Sequence, residues 1–254
     1  MADDVAQRAR AWRDAVHAKV CDVLEPWEHG TVARATRFPS YFDFNVVRVE
    51  DDPGMTADEL EAFADQALTG LDHRKLDFDV ADVAASLRAD FEARGWKVQP
   101  LLWMRHSGSL PPGPEGASVE EVPYDTVHAL RVMWHNEDFG ELDPADYFAE
   151  AKEVAALCDT QVLALRKGAD PVAFADLERD GDTADITSVF VHPDHRGVGY
   201  GTAITRAAIQ AAADARDLWI NADAEARAKD LYARLGFRPA WSSMEFMRLP
   251  AAES

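Results

Sequence analysis

The stretch Val189–Thr202, VFVHPDHRGVGYGT, decides how the chain is interpreted. An apolar strand pattern runs into a turn that contains Arg196 and the glycines Gly197, Gly199 and Gly201, and this turn opens directly onto a helix of small residues. Glycines let the backbone approach a ligand closely, and the first N–H groups of a helix point outward along a dipole that favours negative charge. The stretch therefore predicts a binding site for a phosphate or pyrophosphate.

The glycine spacing excludes two common phosphate motifs. Glycines at 197, 199 and 201 fit neither the dinucleotide fingerprint G-x-G-x-x-G nor the P-loop, and no lysine follows them. They fit R-x-x-G-x-G, and a second motif, LYARLGF, follows at Leu231–Phe237. With these two motifs the sequence resembles the GNAT superfamily of acyl-CoA-dependent N-acyltransferases. The resemblance implies a mixed central sheet flanked by helices (α/β, or α+β), and acetyl-CoA as co-substrate with no metal.

The resemblance also implies which residues hold the cofactor. The turn binds the pyrophosphate, and the preceding strand pairs by its backbone with the pantetheine arm. Many members have an asparagine seven residues before the tyrosine of the second motif; this chain has Glu225 there, and Asn221 is the expected substitute. The predicted cofactor-binding residues are Val189, Val191, Arg196, Gly197, Val198, Gly199, Tyr200, Gly201, Thr202 and Asn221.

Two proton transfers are needed when an amine attacks a thioester. The resemblance makes Tyr232 the donor to the departing thiolate, although its ring could instead only pack beneath the cofactor. Glu178 is the first choice for the group that collects the amine proton, against the alternative that it is a carboxylate in water at a strand end. Further candidates for this role are Asp176, Asp185, and the residues His135, Asn136 and Glu137. His192 and His195 flank the turn and are expected to face solvent or phosphate.

One segment divides the chain. Ser107–Ala117, SGSLPPGPEGA, holds three prolines and three glycines, which disfavour both helix and strand. We therefore expect a domain at 1–106, a linker at 107–117 and the acetyl-CoA-binding domain at 118–254. Strand and helix patterns alternate in the first half, which carries neither motif, so it is interpreted either as a degenerate GNAT-like unit or as an unrelated α/β extension.

Local patterns predict the individual elements. Helices are expected at 5–24, 56–69, 80–94, 124–139, 144–158, 199–216 and 224–235, where apolar spacing and caps indicate them. Strands are expected at 74–79, 96–105, 119–122, 161–165, 171–177, 185–191, 218–222 and 243–249, and the segment 38–50 is expected to be an aromatic turn followed by a strand.

Composition limits the function classes. The chain of 254 residues has 26 Lys and Arg against 46 Asp and Glu, a formal net charge of −20, which argues against nucleic acid and anionic membranes as partners. Two cysteines exclude a disulfide framework, and no leader or membrane-spanning pattern is evident, so a cytoplasmic location is expected. The expected function is direct transfer of an acetyl group to a primary amine of a small molecule by a monomer or homodimer. A non-catalytic acyl-CoA-binding module and an acetyltransferase for protein amines are the alternatives.

Overall fold

A computed structural model describes residues 2–111, 118–140 and 145–250. The chain forms two compact units. The first takes in residues up to Trp103, together with Ala222–Ala226 and the chain from Ala240 onward; the second comprises Met104–Asn221 and Arg227–Pro239. The predicted boundaries at 106 and 118 therefore differ from this division, which groups the C-terminal strand with the first unit.

Both units contain helices and strands. The helices are α1 (Ala2–Val20), α2 (Ala57–Ala67), α3 (Ala81–Ala93), α4 (His128–Phe139), α5 (Ala145–Leu157), α6 (Tyr200–Ala211) and α7 (Ala228–Arg234). The strands are β1 (Val23–Trp27), β2 (Gly30–Arg34), β3 (Val46–Val49), β4 (Arg74–Phe78), β5 (Lys97–His106), β6 (Val119–Glu121), β7 (Gln161–Lys167), β8 (Asp170–Asp180), β9 (Thr183–Val191), β10 (Asp217–Asp223) and β11 (Phe237–Arg248). The predicted mixed α/β class is confirmed.

The first unit is organised around β3 and β4. Strands β1, β2 and β3 are antiparallel neighbours, β3 and β4 are parallel, and β4 pairs antiparallel with β11. Helix α2 begins with a capping box, in which the Thr56 hydroxyl and the Glu59 carboxylate each accept a hydrogen bond from the other residue's N–H. Leu76 and Phe78 of β4 pack with α2 and α3 in an apolar core, and alternation places Lys75 on the opposite face of the strand.

The second unit has strands β6, β7, β8 and β9 as antiparallel neighbours and β10 parallel to β9. Phe174 of β8 and Phe190 of β9 lie in an apolar core that also includes Leu130 of α4. Residues alternate between the two faces of a strand, and Val191 accordingly lies against Gly201 of α6, its Cγ2 within 3.8 Å of where a Cβ at that glycine would be. Helices α4 and α6 therefore cover opposite faces of these strands.

Several predicted boundaries are wrong, for identifiable reasons. The first helix ends at Val20 and not at Leu24, and β1 and β2 form a hairpin that the sequence did not indicate. Strand β1 is mostly exposed and contains Pro26, a combination that is tolerated at a sheet edge but resembles a loop in the sequence. The helix that contains Tyr232 begins at Ala228, four residues later than predicted, because the chain first makes a turn after β10.

The predicted linker also needs correction at its start. The N–H groups of Ser107 and Gly108 both donate to the carbonyl oxygen of Gly236 at 3.1 Å, within the second unit. A Cβ on Gly108 would lie 3.0 Å from the Gly236 Cα, so this close approach favours glycine. Residues 112–117 of the linker and Pro144 of the predicted fifth helix lie outside the described residues.

Candidate functional site

The glycine turn follows β9 through a short 3-10 helix at Pro193–His195. Gly197 and Gly199 have φ angles of 80° and 93°, in the left-handed region that side chains rarely adopt. A Cβ on either residue would meet nothing within 4 Å. The backbone conformation, not crowding, therefore requires glycine at both positions, and the space above the turn is open to a ligand.

The turn ends at the N-terminus of α6, as predicted. Gly199 is the N-cap and offers no side-chain acceptor, and the first hydrogen bond into the helix is from the Ala203 N–H to the Gly199 oxygen at 3.0 Å. The N–H groups of Tyr200, Gly201 and Thr202 precede that bond and have no intrahelical acceptor. Together with the helix dipole they suit an anion. Val198, 64% exposed, adds an apolar side chain at the rim.

Arg196 is held in place by two elements. Its Nε donates to the Val191 oxygen at 3.0 Å, and its Nη2 lies 2.8 Å from both carboxylate oxygens of Glu137 on α4. The guanidinium also stands over the ring of Phe190, at 5.3 Å from its centroid. The second terminal nitrogen, Nη1, makes none of these contacts, so its two donors remain for an anion at the turn.

One edge of β9 is open beside this turn. Strands β9 and β10 are paired from Thr183–Asp217 to Ile186–Ile220, and β9 then continues for five residues, 187–191, which we call the open edge. On its other side β9 pairs with β8, and the register of this pairing shifts between Asp176 and Leu177. The shift leaves Thr187 of β9 as the extra residue of a β-bulge. The predicted Val189 and Val191 both lie on the open edge, where an extended ligand can add as a strand.

Asn221 follows the last paired residue of β10. Its side-chain oxygen is buried and accepts no hydrogen bond among the described residues. Leaving a buried acceptor unpaired costs about 1–3 kcal/mol. A ligand that carries N–H groups and lies along the open edge would supply the missing donor. The amide-containing arm of an acyl-CoA fits this requirement, so the residues present fit the implied cofactor.

Tyr232 lies on α7 and is 7% exposed. Helix α7 lies next to the start of α6, because a Cβ on Gly201 would be 3.5 Å from Cδ2 of the adjacent Leu231. Burial raises the pKa of the Tyr232 phenol to about 12, so the group keeps its proton at neutral pH. This protonated state is the one that a proton donor needs.

The carboxylates predicted as proton acceptors differ in their surroundings. Glu178 of β8 lies directly opposite Asp185 of β9, one residue from the end of the β9–β10 pairing at Ile186. Asp176 is bound by Arg131, whose two terminal nitrogens lie 2.6 and 2.7 Å from its oxygens in a buried pair. The ion pair between Arg131 and Asp176 is structural, so Asp176 is no longer a candidate for the proton acceptor. Glu178 and Asp185 remain candidates for that role.

The helical candidates are divided in the same way. His135 is buried against the rings of Phe139, Tyr147 and Phe148, and burial lowers its pKa. Glu137 forms an ion pair with Arg196, so it supports the glycine turn from α4 and is no longer a candidate for the proton acceptor. His192 accepts a hydrogen bond from the Asp194 N–H at 3.2 Å and so shapes the turn.

Two contacts and one buried donor could not be found by sequence reasoning. Glu137 reaches Arg196 across 59 residues, and no motif connects them. Trp219 of β10 is wholly buried, and its Nε1 has no hydrogen-bond partner in the described part of the chain. Glu225 falls within the helix predicted at 224–235, but it precedes α7 and pairs with Arg88 at 2.6 Å within the first unit. In each case the sequence carries no signal, because side-chain contacts between distant segments leave no local pattern.

The described residues contain neither a helix that could span a membrane nor a cluster of metal ligands. No helix there is long and apolar enough to cross a membrane. Likewise, residues 2–111, 118–140 and 145–250 contain no group of three or more His, Cys, Asp or Glu side chains arranged to hold a metal ion.

Comparison with solved structures shows the fold. A functionally unknown conserved protein from Staphylococcus epidermidis superposes with a TM-score of 0.68 at 15% identity, over 91% of this chain and 95% of that chain. A Drosophila protein gives a TM-score of 0.53 at 15% identity, over 80% and 71% of the two chains. A tandem GNAT protein from the clavulanic acid biosynthesis pathway gives 0.49 at 14% identity, over 82% and 77%.

Sequence comparison matches part of the chain to a known domain family. No curated protein matches the chain significantly. The family model of the acetyltransferase (GNAT) domain matches residues 158–239, which run from the end of α5 to the start of β11 and include the glycine turn, the open edge and Tyr232. Residues 158–239 therefore match the GNAT acetyltransferase domain, and this part of the chain belongs to the GNAT superfamily.

Proposed function

We propose that the protein transfers an acetyl group from acetyl-CoA directly to a primary amine of a small molecule. The observation that carries this proposal is the open edge of β9, which runs for five residues from the end of the β9–β10 pairing into the glycine turn. The open edge and the glycine turn together form a continuous slot. A slot of this kind suits a ligand that has an extended arm at one end and a pyrophosphate at the other.

The cofactor contacts divide by chemistry. The backbone at Gly197, Val198, Gly199, Tyr200, Gly201 and Thr202 holds the pyrophosphate, and Arg196 adds a positive charge. The backbone of Val189 and Val191 pairs with the amides of the arm, and Asn221 accepts from one of their N–H groups. Bound acetyl-CoA supplies the activated thioester; the chain orients it and handles the protons.

Tyr232 is the proton donor of the proposed reaction and Glu178 the acceptor. The buried phenol gives its proton to the departing thiolate, consistent with its raised pKa. Glu178 takes a proton from the incoming ammonium group, directly or through water. Its position opposite Asp185 places a second carboxylate beside it, and this concentration of negative charge favours a cationic amine near the end of the slot. The proposed chemistry uses no metal and no covalent enzyme intermediate.

We assign a structural role to the first unit, as a degenerate GNAT-like unit without a cofactor site. Its β3 and β4 stay paired up to Val49 and Phe78, and the Asp79 N–H continues the pairing to the Val49 oxygen at 2.8 Å. At the start of α2, the Glu59 carboxylate accepts a hydrogen bond from the Thr56 N–H, and this hydrogen bond lowers the pKa of Glu59. Between β3, α2 and β4 the described residues therefore offer a ligand neither an open strand edge nor an uncapped helix start.

The partners are proposed on charge. A net charge of −20 attracts small cationic amines and disfavours nucleic acid and anionic membranes. We place the protein in the cytoplasm as a monomer or homodimer. A small amine is preferred to a protein amine because the candidate carboxylates are half-buried or buried, at Glu178 and Asp185 respectively.

A thioester-consumption screen against an amine library tests the proposal. The wild-type protein should consume acetyl-CoA with at least one amine, and the acetylated product should appear in equal amount. Gly199→Glu places a carboxylate in the anion site and should abolish both acetyl-CoA binding and turnover. Equal acetyl-CoA binding by this variant would refute the cofactor site. Binding without turnover of any small amine or protein amine would instead support a non-catalytic acyl-CoA-binding module.

A further inference from the structure

The indole N–H of Trp219 is a buried donor without an acceptor. The side chain is 0% exposed, and its Nε1 makes no hydrogen bond among the described residues. An indole nitrogen can only donate, and an unpaired buried donor costs about 1–3 kcal/mol. Most buried polar groups find a partner, so this exception calls for an explanation.

Trp219 lies beside the end of the slot where β9 and β10 begin to pair, which we call the closed end. It pairs in register with Asp185, one residue before the Ile220–Ile186 pair at which β9 and β10 separate. Because register partners point to the same face, Trp219 and Asp185 share a face, and Glu178 joins them through its own pairing with Asp185. The unpaired donor is therefore on the same side as both candidate proton acceptors.

The direction of the slot determines what reaches this end. The glycine turn binds the phosphate end of the proposed cofactor, and the open edge, residues 187–191, then spans about 17 Å at roughly 3.3 Å per residue. An arm that extends along it from the turn brings its acyl end to the Ile220–Ile186 pair. The Asn221 oxygen, two residues after Trp219 on the same face, can accept from an amide of the arm but cannot stabilise negative charge.

We propose that the Trp219 Nε1–H donates a hydrogen bond to the carbonyl oxygen of the thioester and stabilises the charge that develops there. This inference rests on the proposed function. The amine nitrogen forms a bond to the carbonyl carbon, and the C=O electron pair moves onto the oxygen that Trp219 binds. The pair then returns, the C–S bond breaks, and the thiolate takes the Tyr232 proton. The carboxylate holds the proton that the ammonium group gave up before attack, and the nitrogen loses its second proton to the Tyr232 oxygen, which restores the phenol. A donor aimed at such an oxygen accelerates acyl transfer because it strengthens as charge develops.

The test removes only the N–H group. Trp219 is replaced by benzothienylalanine, which keeps the shape of indole with sulfur in place of nitrogen. The carbonyl stretch of bound acetyl-CoA, labelled isotopically at the carbonyl carbon, is measured by difference infrared spectroscopy. The wild-type protein should show a lower frequency than the variant, and kcat with an amine from the screen should fall about 100-fold, with the Kd for acetyl-CoA unchanged within threefold.

The same replacement at Trp241 is the matched control. Its Nε1 donates to the Asp79 oxygen at 3.0 Å in the first unit, so loss of the N–H should lower thermal stability and leave the infrared band unchanged. An identical carbonyl frequency in the wild-type protein and the Trp219 variant overturns the inference, even if the enzyme is active. Failure of the wild-type protein to bind acetyl-CoA overturns both this inference and the proposed function.

Discussion

Replacing Gly199 with alanine separates the strain of the glycine turn from its role in binding. Gly199 has φ of 93°, and a side chain in the left-handed region costs about 1–2 kcal/mol. For a chain of this size each kcal/mol shifts the apparent Tm by roughly 2–4 °C, so we expect a decrease of about 2–8 °C without ligand. The added methyl group enters the open space above the turn, where it should obstruct close approach of the pyrophosphate of the proposed cofactor.

Gly181→Ala is the matched control. Gly181 joins β8 to β9 with φ of 57°, and a Cβ there also meets nothing within 4 Å, so the strain is of the same kind without the binding role. Acetyl-CoA at one hundred times its Kd should stabilise the Gly181 variant by about 2.7 kcal/mol, or roughly 5–11 °C. A tenfold weaker Kd in the Gly199 variant reduces this to about 1.4 kcal/mol.

The assay is a thermal shift titration of both variants with acetyl-CoA, compared with the wild-type protein. The prediction requires that the two variants lose similar stability without ligand and differ in how much acetyl-CoA restores. If acetyl-CoA raises the Tm of both variants equally, then the backbone at Gly199 does not contact the cofactor and the assignment of the turn is wrong.

Four further predictions follow from single contacts. Arg196→Gln should raise the Kd for acetyl-CoA about tenfold, measured calorimetrically, because one charge-assisted bond is lost; an unchanged Kd would contradict this. Tyr232→Phe should reduce kcat at least 100-fold without changing the Kd for acetyl-CoA. Because the pKa of the wild-type phenol is about 12, its deprotonation should cause no loss of rate below about pH 11. Full activity of the variant would exclude the proton-donor role. Asp176→Ala should cost about 3–5 kcal/mol of unfolding free energy by leaving the Arg131 charge buried, and chemical denaturation showing a loss below 1 kcal/mol would contradict it. Burial raises the pKa of Glu245 from 4.5 to about 7, so the contribution of its protonated form to stability is complete below pH 4.5 and is lost as the pH rises through 7. Glu245→Gln should therefore flatten the dependence of Tm on pH over this range. An unaltered pH profile would refute the raised pKa.

Local features of the sequence were sufficient for part of the fold and of the site. The capping box at Thr56 and Glu59, the glycines at 197 and 199 and the tyrosine-containing helix all depend on residues within a few positions of one another. Backbone conformation and helix capping are short-range effects, so a single sequence displays them. The family motif could be recognised for the same reason.

Edge and terminal segments were harder to predict. The hairpin β1–β2 was missed because an exposed strand with a proline has no alternating apolar pattern. The last strand was predicted in the correct region, but its place was not: Phe246 pairs with Leu76, about 170 residues earlier in the chain. Backbone hydrogen bonds in a ladder do not depend on side-chain identity, so the sequence of β11 does not indicate its partner.

The residue pattern alone establishes a glycine-rich turn of the form R-x-x-G-x-G before a helix, a later helix that carries Tyr232, and a net charge of −20. The folded chain is needed to see that β9 separates from β10 after Ile186, that Glu137 binds Arg196 and that Arg131 binds Asp176. The same holds for the buried Nε1 of Trp219, unpaired among the described residues, beside the end of the β9–β10 pairing. The first set follows from bonds and angles between neighbours along the chain. The second set depends on strand register and on side chains from distant segments, which meet only when the packed core brings them together.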